Sequence, residues 1–193
     1  MAVIVVGGHA RNVGKTSVVT GLISAFSQYS WTAIKISSHR HSEFSDKEVG
    51  GIHDEKDRGG GSDTSRFLAA GAARSLWARM GADNDERILC QLMPIIQNDP
   101  FVIIESNSIL KFIRPDIYVL VLRCDVEEFK DSAKQTFNRA DAVVVLNSES
   151  FPPAWQDLPV DALKSTPVFT ANDPQNVPKG LIDFIGARLA KTH

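Results

Sequence analysis

The chain has 193 residues, 43% of them hydrophobic, enough to bury the sizeable core of one domain. Its 21 basic and 23 acidic residues leave a formal charge of −2, so no global positive field favours DNA, RNA or anionic lipid. The cysteines, Cys90 and Cys124, stand far apart with no C-x-x-C, which suits a reducing compartment and argues against a cysteine-built metal site.

Residues 2–6, Ala-Val-Ile-Val-Val, follow Met1 with no basic leader and read as a strand, not an export signal. No apolar stretch reaches the roughly 18 residues of a membrane span. A cytoplasmic domain that meets neither nucleic acid nor membrane is therefore expected. Further strand-like runs follow at residues 31–37, 75–78, 101–104, 117–122, 142–146 and 168–170. Several are apolar at consecutive positions, as expected of strands buried on both faces of a parallel sheet. Between them lie helical patterns. Residues 16–27 carry Val19, Leu22, Ile23 and Phe26 at helical spacing, and residues 86–97 carry Ile88, Leu89, Leu92, Ile95 and Ile96. Residues 180–190 close the chain with Leu181, Ile182, Ile185 and Leu189. This alternation predicts a doubly wound α/β fold, a mainly parallel sheet of about seven strands with helices on both faces. With no repeat and no compositional break, residues 1–193 read as a single domain.

The first strand runs into "GGHARNVGKTS", residues 7–17. Strand, loop, Gly14-Lys15-Thr16 and then helix is the setting of a phosphate-binding loop. Successive backbone N–H groups and the positive end of the helix dipole make an anion cradle, to which Arg11, Asn12, Val13 and Gly14 contribute. Lys15 reaches the outer phosphates, the Thr16 hydroxyl ligates Mg²⁺, and Ser17 adds a hydroxyl near the α-phosphate. The pattern G-x-x-x-x-G-K-[ST] calls for glycine where this chain has His9, so the loop is expected to enter by its own path, with Gly7 and Gly8 supplying the turn. Arg11 reads either as a solvated side chain or as an arginine stabilising transition-state charge.

"FVIIESNS", residues 101–108, delivers Glu105 at the end of an apolar strand. Strands of such sheets end on the ligand side, so Glu105 should converge on the loop and hold Mg²⁺ with Thr16. Ser106, Asn107 and Ser108 form a polar tip suited to phosphate or substrate. Residues 42–63, "SEFSDKEVGGIHDEKDRGGGSD", are charged, glycine-rich and poor in large apolar groups. They read as a flexible segment, either a passive insertion or a lid that orders on ligand binding. His39 and His41, with His53 in that segment, are candidates for a metal site or a substrate contact, or they simply face solvent. Met80, Met93 and Trp31, Trp77 and Trp155 read as packing material.

Taken in order, "VIVVGGHARNVGKTSVVTGLISAF", "WTAIKISSHRH", "SDTSRFLAAGAARSLWAR" and "FVIIESNSI" resemble the molybdopterin-guanine dinucleotide biosynthesis protein B family. That family belongs to the P-loop GTPase class, with dethiobiotin synthetase and the nickel-insertion GTPases. The resemblance continues more loosely through "ADAVVVLN". It implies a P-loop NTPase that binds GTP with Mg²⁺, hydrolyses it slowly, forms a homodimer and assists a molybdenum cofactor guanylyltransferase. On it, Gly14, Lys15, Thr16 and Ser17 match the phosphate loop, Asp63 an acidic residue ahead of the "AGA" helix, and Arg66 a basic one. The implied catalytic set is Lys15, Glu105 and Asp63. His39 and His41 fall near a His-rich stretch of the family. The chain departs from the pattern at His9, in the length of the acidic segment, and in the missing N-K-x-D after "VVVLN", where Asn147 alone stands as a base contact. Asn172, in "VFTANDPQN", sits where dethiobiotin synthetases read adenine. It keeps ATP beside GTP as the ligand, and an ATP-dependent small-molecule kinase or ligase, with Lys35 and the His39/His41 tip holding the acceptor, as the alternative function. A regulatory module that binds nucleotide without turnover is the third reading.

Overall fold

A computed structural model describes residues 1–38, 51–80, 85–150, 165–173 and 176–191. His39, His41 and Trp155 lie outside these residues. Eight strands form one sheet: β1 (Ala2–Gly8), β2 (Trp31–Ser38), β3 (Ile52–Glu55), β4 (Arg74–Met80), β5 (Phe101–Glu105), β6 (Ile117–Arg123), β7 (Ala142–Leu146) and β8 (Val168–Ala171). Their spatial order is β3-β4-β2-β5-β1-β6-β7-β8, parallel throughout except where β3 runs antiparallel to β4 at the edge. The expected doubly wound α/β architecture is present, with one strand more than the apolar runs foretold.

The consecutive apolar runs are explained by burial on both faces. In β1, Ala2, Ile4 and Val6 pack against α1 (Lys15–Ala25), α2 (Asp63–Ala69) and α5 (Lys179–Leu189). Val3 and Val5 point the other way, toward Ile88, Leu92 and Ile96 of α3 (Asp85–Asn98) and the 3₁₀ turn Ser108–Lys111. Two apolar layers thus sandwich the sheet, each burying side chains at roughly 25 cal/mol per Å² of apolar surface. Trp31, Met80 and Met93 pack in these layers as expected. No helix among the described residues is long and apolar enough to cross a membrane.

β1 lies between β5 and β6. From it the chain crosses to β2 on one side, and from β5 it crosses back to β6 on the other. The loops leaving β1 and β5 therefore diverge and open a crevice at the carboxyl ends of the strands, the place where open α/β sheets take ligands.

Of the segment read as flexible, residues 42–50 lie outside the described residues, and residues 51–63 hold an element that composition does not reveal. Ile52–Glu55 pairs with β4 in the register Ile52 to Ala78 and Glu55 to Ser75. The turn beyond it is knitted by one carboxylate. Glu55 Oε1 accepts from the backbone N–H groups of Lys56 and Asp57, and Oε2 accepts from the hydroxyls of Ser62, Thr64 and Ser65 at 3.0–3.1 Å. Ser62 also caps α2 by accepting the Ser65 N–H at 3.0 Å. Polar groups satisfied by one another replace the apolar burial that this stretch lacks.

Candidate phosphate-binding site

Gly7 and Gly8 stay in β1 and do not make the turn. That expectation is corrected: the loop's two left-handed residues are Asn12 (φ 55°) and Gly14 (φ 96°). Asparagine tolerates this conformation because its short side chain bonds locally, and glycine because it has no Cβ. The strand glycines serve close approach instead. A Cβ at Gly7 would stand 2.3 Å from Asn107 Oδ1, and one at Gly8 would stand 2.7 Å from Val13 Cγ2 and 3.0 Å from the Lys15 stem. His9 fills the family's glycine position without left-handed backbone. Its ring is wholly buried, lies 5.1 Å from Phe129 and places Nε2 3.2 Å from the Val126 carbonyl. Burial lowers its pKa and keeps the imidazole neutral.

A cleft of about 400 Å³ opens over the loop. It is lined by Arg11, Asn12, Val13, Gly14, Lys15, Thr16 and Ser17 from the loop and α1, and by Lys35, Asp63, Arg66, Glu105 and Arg123 from neighbouring elements. The structure thus gathers Lys15, Thr16, Asp63 and Glu105, which are dispersed along the chain. Lys15 folds back so that Nζ donates to the Ala10 carbonyl at 2.9 Å. Desolvation pushes it down to about 8, against the pull of Glu105. The Thr16 hydroxyl donates to Glu105 Oε2 at 2.8 Å, and Glu105 is 2% exposed.

Sheet register explains the next contact. Glu105 pairs with Val6 of β1 on one side and with Lys35 of β2 on the other, so Lys35 and Glu105 are cross-strand neighbours. Lys35 Nζ forms an ion pair with Glu105 Oε1 and a second with Asp63 Oδ2 at 2.8 Å. Burial disfavours the charge on Lys35 and on Asp63. The attraction of Glu105 and Asp63 nevertheless raises Lys35, and the hydrogen bond from Lys35 lowers Asp63. Arg66 completes the rim, with Nη2 3.3 Å from Ser17 Oγ and Nη1 3.8 Å from Asp63 Oδ1. Arg11 is exposed at the mouth.

Other expectations are placed elsewhere. Asn107 turns inward to clamp β1, accepting the Gly8 N–H at 2.8 Å and donating to the Gly8 carbonyl at 2.7 Å. Ser106 Oγ and Ser108 Oγ lie 3.0 Å apart, so the polar tip braces the loop. Asn147 (φ 53°) donates to Asp125, and Asn172 donates to Glu149 at 2.7 Å and accepts from Ser148. These form a polar ring at the ends of β7 and β8, and neither asparagine lines the phosphate cleft. His53 lies on β3, its ring 5.9 Å from Trp77 and Nε2 3.2 Å from Arg79 Nη2. Among the described residues no group of three or more His, Cys, Asp or Glu side chains is placed to hold a metal ion.

A second cleft of about 470 Å³ joins the first at Ser17 and Arg66 and runs along α1 past Thr20, Gly21 and Ser24 to Asn176, Val177 and Ile182. Arg123, whose Nη1 donates to the Asn12 carbonyl at 3.3 Å, and Asn176 are site residues that motif reading passed over. Arg123 ends an apolar strand beside the loop, which is a usable signal. Asn176 has none.

Comparison with protein-family models and with curated proteins gives no match. Solved structures do match. HypB from Helicobacter pylori, crystallised in complex with nickel, superposes with a TM-score of 0.52 at 13% identity, covering 98% of this chain and 87% of that one. The hydrogenase maturation factor HypB from Archaeoglobus fulgidus gives 0.50 at 14%, covering 97% and 90%. Bacillus subtilis MobB gives 0.42 at 17%, covering 97% and 98%. The chain shares the mainly parallel α/β fold of the two HypB structures.

Proposed function

We propose that the chain binds a nucleoside triphosphate, GTP in particular, with Mg²⁺, hydrolyses it slowly, and acts as an accessory factor for guanylylation of the molybdenum cofactor. The observation that carries nucleotide binding is the preformed cradle. Asn12 and Gly14 turn the loop, and Lys15 is parked on the Ala10 carbonyl in front of a buried carboxylate. A phosphate takes over Lys15 from that carbonyl and favours the charge that burial opposes. The α1 amides and Ser17 receive the inner phosphates.

Thr16 and Glu105 would hold Mg²⁺, with Asp63 close by. A hydroxyl and two carboxylates are the hard oxygen donors this ion takes, and it needs few of them. When bound, the ion neutralises charge on the outer phosphates. Asp63 is the carboxylate open to solvent and is the group assigned to orient water, while Arg66 and Arg11 stand ready for phosphate charge.

The guanine assignment rests on the sequence resemblance and on the ring at the ends of β7 and β8. Glu149 presents an acceptor, as guanine's ring N–H and amino group require. Asn147 and Asn172 are the supporting amides. A guanylyltransferase partner and a homodimer follow from the resemblance alone. Isothermal titration with GTP and ATP, each with and without Mg²⁺, tests the reading. GTP should bind at least about tenfold more tightly than ATP, with slow phosphate release. An ATP preference favours the kinase or ligase reading, and tight binding without turnover the regulatory one. Failure to bind either nucleotide refutes all three.

A further inference from the structure

Lys35 stands where the fold leads one to expect a dissociable cation. Its ammonium bridges Asp63 and Glu105, and Glu105 is the same carboxylate that receives the Thr16 hydroxyl. The stem comes from the middle of the sheet, fixed by the register between β2 and β5, so the ammonium is held there by the fold and not by chance on a mobile surface. Lys35 is 20% exposed and Asp63 38%, while Glu105 is 2% exposed, so the pair is shielded on one side and reachable on the other. The other charged groups lining the cleft are Arg11, Lys15, Arg66 and Arg123, and Lys130 also acts on Lys35 through space.

We propose that Lys35 is a tethered cation that occupies the metal position of the empty site and yields it only when phosphate arrives. Two carboxylates and a hydroxyl would attract a divalent ion by themselves. With the ammonium between them the carboxylates carry a net charge of about −1, and an incoming ion has to evict a group bonded to both. A triphosphate changes the balance. Its oxygens give the ammonium a new partner within reach, and the vacated carboxylate edge becomes available to the ion that accompanies the phosphates. Metal and nucleotide then load together, and a divalent ion alone is refused. The identity of what displaces the ammonium rests on the nucleotide reading above. The refusal of metal alone does not.

Manganese serves as the probe, with the unbound ion counted by electron paramagnetic resonance. Wild-type protein without nucleotide should leave millimolar-range Mn²⁺ unbound, whereas Lys35→Met should bind one Mn²⁺ at least about tenfold more tightly than wild type. Lys35→Arg, which keeps a cation, should refuse the ion as wild type does. Adding Glu105→Gln to Lys35→Met should remove the gained site. Tight Mn²⁺ binding by nucleotide-free wild type at a site lost in Glu105→Gln overturns the proposal. So does equal Mn²⁺ affinity in Lys35→Met and wild type. The wild-type arm decides even if the methionine variant does not fold. If wild type binds no nucleotide while Lys35→Met gains the manganese site, the nucleotide reading fails and the tethered cation stands.

Discussion

Replacing Lys15 by methionine should leave the empty protein at least as stable and cut its ligand response. Burial pushes the ammonium down to about 8 from the 10.5 of an ordinary lysine. At neutral pH that difference corresponds to a charging penalty of roughly 3 kcal/mol in the folded state. Against it stands one hydrogen bond from a charged donor, Nζ to the Ala10 carbonyl at 2.9 Å, whose loss costs about 1.5–3 kcal/mol. Methionine keeps most of the stem that passes over Gly8, so the packing of the loop is retained. Lys15→Met should therefore leave the unfolding free energy of the empty protein unchanged or raise it by up to about 1.5 kcal/mol at pH 7, an exchange of stability for function. The same change removes a charged contact to phosphate worth about 1.5–3 kcal/mol, ten- to a hundredfold in affinity. Urea unfolding with and without GTP and Mg²⁺ reads both quantities. Wild type should gain about 2.7 kcal/mol when ligand stands at a hundred times its Kd, and the variant only about 0.4–1.4 kcal/mol at the same concentration. A variant less stable than wild type when empty would refute the burial argument. One that retains the full ligand shift would refute the phosphate cradle.

Asn107→Ala removes both bonds to the Gly8 backbone and should cost about 2–3 kcal/mol in urea unfolding, with a further loss of triphosphate affinity. A cost below about 0.5 kcal/mol would show that the clamp is dispensable. Glu55 is held down to about 2 by the Asp57 N–H and the hydroxyls of Ser62 and Thr64. A carboxylate depressed in the folded state contributes stability above its ordinary value, near 4.5, that is lost as pH falls toward 2. The stability advantage of wild type over Glu55→Gln should therefore shrink across that window, accompanied by faster amide exchange in the first turn of α2. A constant difference from pH 6 to pH 2 would assign Glu55 a role unrelated to its charge.

Seven strands, three helices and the turn carrying Gly14, Lys15 and Thr16 were legible because each announces itself locally, by an apolar run, a helical period, or glycine, lysine and threonine between strand and helix. Glu105 was legible for the same reason, as an acid at the end of a buried strand. What stayed hidden depends on register and on distant partners. Nothing near Lys35 says that it will lie beside Glu105, since that pairing is made by the alignment of β2 with β5. The inward turn of Asn107 depends on Gly8, which lies across the sheet on β1. β3 was missed because its order comes from pairing with β4 and from hydroxyl and amide donors converging on Glu55. A scale that counts apolar surface gives such a knot no credit.

His9 shows how a broken motif keeps its geometry. The glycine of the pattern matters where the loop needs backbone that an L side chain resists. Here that need falls further on, at Asn12 and Gly14, and His9 keeps ordinary backbone. Its main chain is tied at both ends, the N–H to the Val121 carbonyl at 3.2 Å and the carbonyl to the Lys130 N–H at 2.9 Å. Its ring is sunk against Phe129, and burial keeps it neutral, so it adds no positive charge to the cradle and competes for no phosphate. The side chain that departs from the motif thus joins the first strand to the segment leading into α4 (Asp131–Lys134) and anchors the loop from behind. The cradle's cations remain those that can reach ligand, Lys15, Lys35 and the arginines at the rim. A residue pattern is a sufficient sign of such a loop and not a necessary one, because the backbone conformations and the buried anchors that define it can be supplied by other residues.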